Sequence, residues 1–319
     1  MKLNQNTISK IGKELQSLVK GEVLFDDFSR GRYSTDASIY QITPIGIVIP
    51  KDTNDVLSVL EFCRLKELPI LPRGAGSSQC GQTVGECIIL DYSKFQNQIV
   101  DINLDEKTAW VQPGLVLDQL NAKLKQYNLW FPVDVSTSSR ATIGGMTGNN
   151  SCGSRSLYYG NMVHNVEAVE CILDDGSIYT FENINKDYLV TKNNQNRQYK
   201  IVEELIKIYQ NNKQEISDNF PKTQRRVGGY NLDLINPSGF NTSNILVGSE
   251  GTLSLFNKIK LKLSHIPKQK ILGLCSFQNF RDAMEITKVF VSLTICVICL
   301  TPYLLQYLYS TYRKCDDQS

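Results

Sequence analysis

The chain has 319 residues, 41% of them hydrophobic and 21% charged, with a formal net charge of +2. That apolar content excludes wholesale disorder, the length calls for two packed lobes or one large α/β domain, and the near-neutral balance leaves no broad electrostatic footprint for nucleic acid. Two histidines, His164 and His265, are too few for a histidine-rich metal site, and nine irregularly spaced cysteines suit a reducing, cytoplasmic compartment better than a disulfide framework.

Ile8, Ile11, Leu15 and Leu18 recur at helical spacing among Lys10, Lys13, Glu14 and Lys20, an amphipathic helix rather than an export signal. Ile45 to Ile49 predicts a strand closed by Pro50, and Thr53 is placed to cap a helix with Val56, Leu60 and Cys63 inward. Ile70-Leu71 predicts a strand running into Gly74, Gly76 and Gly81, and Ile88 to Leu90 another. Ile99 to Ile102 and Ala109 to Val111 predict a pair of strands, and Leu117, Leu120, Leu124 and Tyr127 a helix. Phe131 to Gly153, rich in Ser, Thr, Gly and Asn, reads as one long functional loop. Val166 to Leu173, the Asp175-Gly176 turn and Ile178 to Phe181 form a hairpin. Asn183 to Gln198 reads as a polar surface excursion, Leu205, Ile208 and Tyr209 as a helix, and Ile245 to Val247 as a short strand. Leu253, Leu255, Ile259, Leu261 and Leu263 fall on one parity, which predicts a long strand facing a core. This order argues for α/β or α+β.

Val289 to Tyr309 carries no charged residue and is close to the roughly 20 apolar residues that a bilayer-spanning helix needs. Thr294, Thr301, Pro302 and Gln306 interrupt it, and two readings stand. One is a C-terminal anchor flanked by Lys288, Arg313 and Lys314, giving membrane contact at the inner face of the cytoplasmic membrane. The other is a broken second domain whose own sequence gives way after about Lys288. Cys296 and Cys299 form a CxxC here, but so apolar a setting gives redox or zinc chemistry little weight.

The first chemically informative segment is Pro72 to Ser78, where Arg73 precedes Gly74, Ala75, Gly76, Ser77 and Ser78. Glycines let the backbone turn sharply, and successive N–H groups in such a turn form a nest that suits a pyrophosphate. A Rossmann fingerprint fails on context, since Gln79 stands where the third glycine belongs and no helical periodicity follows. The second segment runs from Phe131 through Pro132, Asp134, Ser136 and Thr137 to Thr142, Gly144, Gly145, Asn149 and Gly153. Two glycine-rich loops with small hydroxyl residues suit the two ends of a long phosphate-bearing cofactor.

Taken with Arg32 to Ser38, Arg225 to Leu232 and Val247 to Thr252, these loops resemble the FAD-binding domain of the vanillyl-alcohol oxidase and p-cresol methylhydroxylase superfamily. Within it the chain is similar to FAD-linked D-2-hydroxyglutarate and D-lactate dehydrogenases of the long, iron–sulfur form. The resemblance covers about 31–266 and implies an α+β fold with two lobes around FAD, over about 31–99 and 100–268, after an N-terminal helical segment, 1–30. It implies non-covalent FAD, with Arg73, Gly74, Ala75, Gly76, Ser77 and Ser78 around the pyrophosphate. Pro132, Asp134, Ser136, Thr137, Thr142, Gly144, Gly145 and Asn149 would line the remaining contacts. Gly153, Ser156 and Tyr159 would border the flavin, and Glu250 and Gly251 would hold the far edge.

Each position has a plainer reading. Gly144, Gly145 and Gly251 can serve tight turns, Glu250 an ion pair, and Arg225 with Arg226 a solvated basic pair. His164 reads as structural, Cys152 as a small buried residue, and His265 has no assigned role. The resemblance implies hydride transfer from a D-2-hydroxy acid to the flavin, with the substrate clamp and base in a cap domain after the FAD domain. The likeness stops near Lys288, so the expectation is a truncated chain: a cap start and apolar tail over 269–319, holding FAD but weakly active alone, with no catalytic residue assigned. The alternatives are a membrane-tethered FAD-binding subunit of a split complex and a flavin reductase of the cell-wall-precursor type.

Overall fold

The computed structural model describes residues 4–185, 196–223, 225–269, 271–275, 277, 279–292 and 306–310. Asn4 caps the first helix by accepting from the Thr7 N–H at 2.9 Å, and α1 (Gln5–Leu18) buries Ile8, Ile11 and Leu15. Leu18, expected on the same face, is 49% exposed, because the helix ends there and Val19 takes the buried place. Then follow β1 (Glu22–Leu24), α2 (Asp27–Arg32), β2 (Gly46–Ile49), α3 (Thr53–Leu65), β3 (Ile70–Arg73) and β4 (Ile88–Asp91). Asp52 rather than Thr53 caps α3, accepting from the Asp55 N–H, and the Thr53 hydroxyl instead reaches Asn257. On α3 the inner face is Val56, Val59, Phe62 and Cys63, with Leu60 only half-buried.

The first sheet has the order β1-β2-β4-β3, parallel except for the β1 edge. β2 and β4 are buried along their whole length, as a parallel sheet covered on both faces requires. One face packs with Ile11, Leu15 and Val56; the other packs with Tyr33 and Cys87. This sheet therefore takes in α1 and β1, which lie in the stretch 1–30 read above as a separate segment.

The second lobe begins with β5 (Ile99–Asn103), β6 (Thr108–Val111), α4 (Leu117–Leu124) and β7 (Leu129–Trp130). Tyr127, expected on the buried face of α4, stands exposed in the 3₁₀ turn after it. The stretch read as one long loop contains α5 (Ile143–Gly148), because Thr142 caps it and Ile143, Met146 and Thr147 turn inward. Next come α6 (Ser156–Tyr159), α7 (Met162–Asn165), β8 (Val166–Ile172), β9 (Ile178–Phe181) and β10 (Asn183–Asn185). β10 pairs with β11 (Gly239–Asn241), so the polar excursion opens as a strand, and its residues 186–195 lie outside the described residues. α8 (Arg197–Asn211) and α9 (Lys213–Asn219) precede β11, and α8 buries only Val202. Ile245 to Val247 is buried but not a strand: Asn241 turns the chain into a 3₁₀ helix, Thr242–Ile245, so the apolar run marks burial without extension.

β12 (Leu255–Lys262) is the centre of a five-stranded antiparallel sheet of order β5-β6-β12-β8-β9, and β13 (Ser264–His265) pairs with β7. The predicted parity holds for Leu255, Ile259 and Leu261, but a register shift between Phe256 and Lys258 adds Phe256 to the buried set. Leu253 precedes the strand and is exposed. β14 (Ile271–Cys275), α10 (Phe280–Ser292) and β15 (Gln306–Ser310) follow, β14 pairing with β15. Of the apolar stretch 289–309, residues 293–305 lie outside the described residues, Cys296 and Cys299 among them. Among the described residues no helix is long and apolar enough to cross a membrane.

The lobes share a core. Ile172 and Leu255 of the second sheet join the cluster of Val48, Val56, Ile88 and Leu90 in the first. Above them the Thr53 hydroxyl donates to Asn257 Oδ1 at 2.8 Å, and Asn257 Nδ2 donates to Glu170 Oε1 at 2.6 Å. In the same first turn of α3, buried Asp55 accepts main-chain N–H groups from Lys20 at 2.8 Å, Gly21 at 2.9 Å and Lys51 at 2.8 Å, tying α1 to α3. Replacing it leaves those donors facing a buried void, so Asp55→Ala is expected to lower the unfolding free energy by about 3 kcal/mol. Urea denaturation followed by circular dichroism measures it, and Asp55→Asn, which keeps one acceptor oxygen, is expected to recover part of the loss.

Candidate functional site

β3 ends at Arg73, and the chain then runs irregularly to Thr83 at the junction of the two lobes. The Arg73 guanidinium is buried. Its Nη1 donates to the carbonyls of Tyr33 at 3.1 Å and Thr83 at 3.0 Å, and its Nη2 to that of Thr35 at 2.8 Å. It also lies 5.2 Å from the Tyr33 ring centroid, while the Tyr33 hydroxyl donates to Asp91 at 2.6 Å. Burial pulls the Arg73 pKa down, and the Asp91 charge opposes that; burial, then Asp91, pushes the Tyr33 phenol up. Arg73 is therefore a brace under the loop, its fork satisfied by carbonyls.

The loop above the brace is open. Among the described residues, none of the six main-chain N–H groups from Gly74 to Gln79 has an acceptor within the chain. Gly76 holds φ at +64°, and a Cβ there would come within 2.4 Å of Arg73 Nη2. A Cβ on Gly74 would meet Thr142 Oγ1 at 2.1 Å, one on Gly144 would meet Pro113 at 2.6 Å, and one on Gly251 would meet Pro72 at 2.7 Å. The glycines thus let three segments close on one another around a cavity of about 510 Å³, within the range of small-molecule and cofactor sites.

Of the residues singled out in the sequence, Arg73, Gly74, Ala75, Gly76, Ser77, Ser78, Ser136, Thr137, Thr142, Gly144, Gly145, Asn149, Glu250 and Gly251 line this cavity. Pro132, Asp134, Gly153, Ser156 and Tyr159 do not. They form the support behind it. Asp134 accepts from the Arg155 N–H at 3.0 Å and the Ser154 hydroxyl at 2.7 Å, and Gly153 lies against Asp134 while donating to the Ser156 hydroxyl at 3.0 Å. The Tyr159 ring meets Trp130 edge to face, with centroids 5.5 Å apart. Pro132 is buried.

Several plainer readings change. Among the described residues Glu250 makes no ion pair: its Oε1 accepts from Asn149 Nδ2 at 2.8 Å and Gln82 Nε2 at 3.3 Å. Burial raises its pKa, with the two hydrogen bonds opposing. Arg226 is not a solvated cation, since it pairs with Asp233 at 2.6 Å and lies over the Phe220 ring. Arg225 is exposed on the rim, and its Nε lies 2.7 Å from the sulfur of Cys152, which is half-exposed on the cavity rather than buried. His164 is structural: its Nδ1 accepts from the Asn161 N–H at 3.0 Å, closing the start of α7. The carbonyl of His265 accepts from Trp130 Nε1. No group of three metal-ligating side chains occurs among the described residues.

The sequence reading missed Gln82, Tyr92, Pro113, Met146, Ser254 and Phe256 on the cavity. Tyr92 and Phe256 were not assigned in the sequence, and only the closure of the two lobes brings them here. Tyr92 is 4% exposed, and its hydroxyl has no hydrogen-bond partner among the described residues. Unpaired N–H groups, small residues and an orphaned hydroxyl together suit a ligand that carries phosphate and further polar groups.

A mixed two-lobed fold with a main-chain anion cradle at the lobe junction defines a cofactor-binding domain of the flavoprotein kind. Residues 44–182 match the family model described as FAD binding domain, and the chain carries a domain of that family. It is 34% identical over 259 residues to D-2-hydroxyglutarate dehydrogenase of Escherichia coli (strain K12), covering 79% of this chain and 25% of that protein. It is 33% identical to D-2-hydroxyglutarate dehydrogenase of Pseudomonas putida, covering 83% of this chain and 27% of that one. It is 30% identical to glycolate oxidase subunit GlcD of Bacillus subtilis, covering 87% and 50%. The chain thus spans about a quarter of the length of the D-2-hydroxyglutarate dehydrogenases it matches. The solved structure of alkyldihydroxyacetonephosphate synthase shares the fold, with a TM-score of 0.64 at 18% identity over 90% of this chain and 50% of that one.

Glu250 gives the cavity a pH signature. Its folded pKa stands above the ordinary 4.5, so the native state holds this proton to higher pH than the unfolded chain does. Relative to Glu250→Gln, the unliganded wild type is expected to lose stability as the pH rises from below 4.5 through the raised value, and to level off above it. Thermal midpoints of the two proteins across pH 4 to 7, as a difference, check this, and a flat difference would contradict it.

Proposed function

We propose that the chain is the cofactor-holding part of an FAD-dependent dehydrogenase of D-2-hydroxy acids, of the D-2-hydroxyglutarate or D-lactate type. The observation that carries it is the run of acceptorless N–H groups from Gly74 to Gln79 at the lobe junction, in a chain that carries an FAD binding domain. The main chain of Gly74 to Ser78 would hold the pyrophosphate, with Arg73 beneath as the brace. Ser136, Thr137, Thr142 and Asn149 would supply hydroxyl and amide partners, while Gly144, Gly145 and Gly251 leave room for close approach. Glu250 would hold Asn149 and Gln82 in place at the edge of the cavity. Pro132, Asp134, Gly153, Ser156 and Tyr159 would fix the segment behind. When bound, FAD supplies a two-electron acceptor for hydride from the carbon bearing the substrate hydroxyl.

The two lobes would divide the cofactor between them, at about 31–99 and 100–268, and hold it without a covalent bond. The substrate class follows the relatives named D-2-hydroxyglutarate dehydrogenase and D-lactate dehydrogenase, which match across most of this chain. The free thiols of Cys63, Cys80, Cys87, Cys152, Cys171 and Cys275 support a reducing, cytoplasmic setting.

Incubation of the purified chain with excess FAD, followed by gel filtration, is expected to leave a yellow protein with about one flavin per chain. Anaerobic D-2-hydroxyglutarate or D-lactate is then expected to bleach it slowly or not at all, and rapid bleaching would contradict weak activity of the chain alone. A folded chain that emerges colourless overturns the reading.

A further inference from the structure

Arg73 and Arg225 are the two cations among the described residues that line the cavity, and only the first is fully engaged. Arg73 gives its fork to the carbonyls of Tyr33, Thr35 and Thr83. Arg225 stands exposed on the rim, and its Nε lies 2.7 Å from the sulfur of Cys152. Its terminal nitrogens, Nη1 and Nη2, have no acceptor among the described residues. The carboxylate on the cavity wall does not neutralise it, because Glu250 is bonded to Asn149 and Gln82 instead.

An exposed arginine is ordinarily a solvated, freely turning group whose ion pairs are worth little. Arg225 is held from two sides. Cys152 itself lines the cavity, so a guanidinium seated on its sulfur lies along the cavity wall. The backbone is pinned one residue on, where the Arg226 carbonyl accepts from Asn161 Nδ2 at 3.1 Å. The Arg226 side chain is fixed as well, on Asp233 at 2.6 Å and on Asn231 Oδ1 at 3.2 Å. Farther along the same segment the Tyr230 hydroxyl lies 2.8 Å from Thr252 Oγ1. With Nε occupied, the edge formed by Nη1 and Nη2 is left as a pair of parallel donors, which matches the two oxygens of a carboxylate.

The 2-hydroxy acids proposed above carry a carboxylate on the carbon that bears the hydroxyl, and a molecule entering the cavity meets the rim first. Resting on the cofactor reading above, we propose that Arg225, oriented by Cys152, binds a carboxylate of the substrate at the mouth of the cavity. The cationic contact then lies in the cofactor-binding chain itself, ahead of any cap domain. Because the segment is already pinned, little ordering is left to offset the gain when the carboxylate arrives.

Titrating the FAD-loaded chain with glutarate, and following the visible flavin band, tests this. Glutarate carries the carboxylates of the substrate class without a hydroxyl to oxidise, so binding is read apart from turnover. A saturable shift is expected in the wild type, and none with neutral glutaramide. Arg225→Gln is expected to weaken glutarate binding by about tenfold, and Arg225→Lys, which keeps the charge but not the fork, by less. FAD affinity is expected to be unchanged in both variants. Equal glutarate affinity in the wild type and Arg225→Gln overturns the assignment, as does the absence of any shift in the wild type. A loss of FAD affinity in Arg225→Gln overturns it too, by giving the guanidinium to the cofactor. A wild-type chain that retains no flavin removes the cofactor reading itself, a result distinct from these.

Discussion

A buried guanidinium that finds its partners in main-chain carbonyls holds this site in shape. Arg73 draws together Tyr33, Thr35 and Thr83, segments with no secondary structure of their own to align them, and fixes both ends of the glycine loop that follows it. A charge so buried is tolerable only when it is hydrogen-bonded and compensated, and the Asp91 carboxylate beside it, held by the Tyr33 hydroxyl, supplies the opposite sign. Because β3 and β4 pair in parallel with Arg73 opposite Asp91, the compensation follows from the sheet register. The loop above is held at its two ends, at Arg73 and Thr83, and its N–H groups from Gly74 to Gln79 find no acceptor among the described residues.

Close approach is the second constraint, and it explains why glycine recurs where it does. The loop after β3, the turn into α5 and the turn before β12 meet at the lobe junction, each touching another segment where a side chain would stand. Thr142 joins two functions there: it caps α5 and lies against Gly74, so the local signal that starts a helix also sets the distance between lobes. The shared core of Val48, Leu90, Ile172 and Leu255 then fixes that distance on a scale that no loop contact alone could hold.

Much of this was legible in the sequence. Strand positions announced themselves wherever burial coincided with an extended apolar run, as in Ile88 to Leu90, and the hairpin at Asp175-Gly176 carried its own turn chemistry. Where burial and extension part company the reading failed: Ile245 to Val247 is apolar and buried, yet it is the end of a 3₁₀ helix begun at Asn241 and the turn that follows. The glycine loops were visible because their composition is itself the requirement for backbone approach. Tyr92 and Phe256 were not, because an aromatic residue at a strand end looks the same whether it faces a core or a cavity. Only tertiary closure distinguishes the two. The division among the loop residues was also invisible, since Asp134 and Gly153, like Asn149, are small polar positions in one segment, and which of them reach the cavity depends on how α5 interrupts it.

The electrostatics of the cavity close the argument. A chain of net charge +2 holds a cavity in which Arg73 is already engaged with carbonyls, so beside the exposed Arg225 on the rim the unpaired N–H dipoles of the loop are the groups suited to an anionic ligand. Dipoles fixed by the backbone need no ordering when a ligand binds. The same design explains why a carboxylate such as Glu250 can sit on the cavity wall. Held by Asn149 and Gln82, and placed in a left-handed turn with φ of 52°, it acts on its neighbours' geometry, and burial raises its pKa. A cradle built on side-chain lysines would bring that carboxylate into competition with the ligand. A cradle built on main-chain N–H groups keeps its donors out of that competition, because Arg73 and the flanking glycines have fixed where they point.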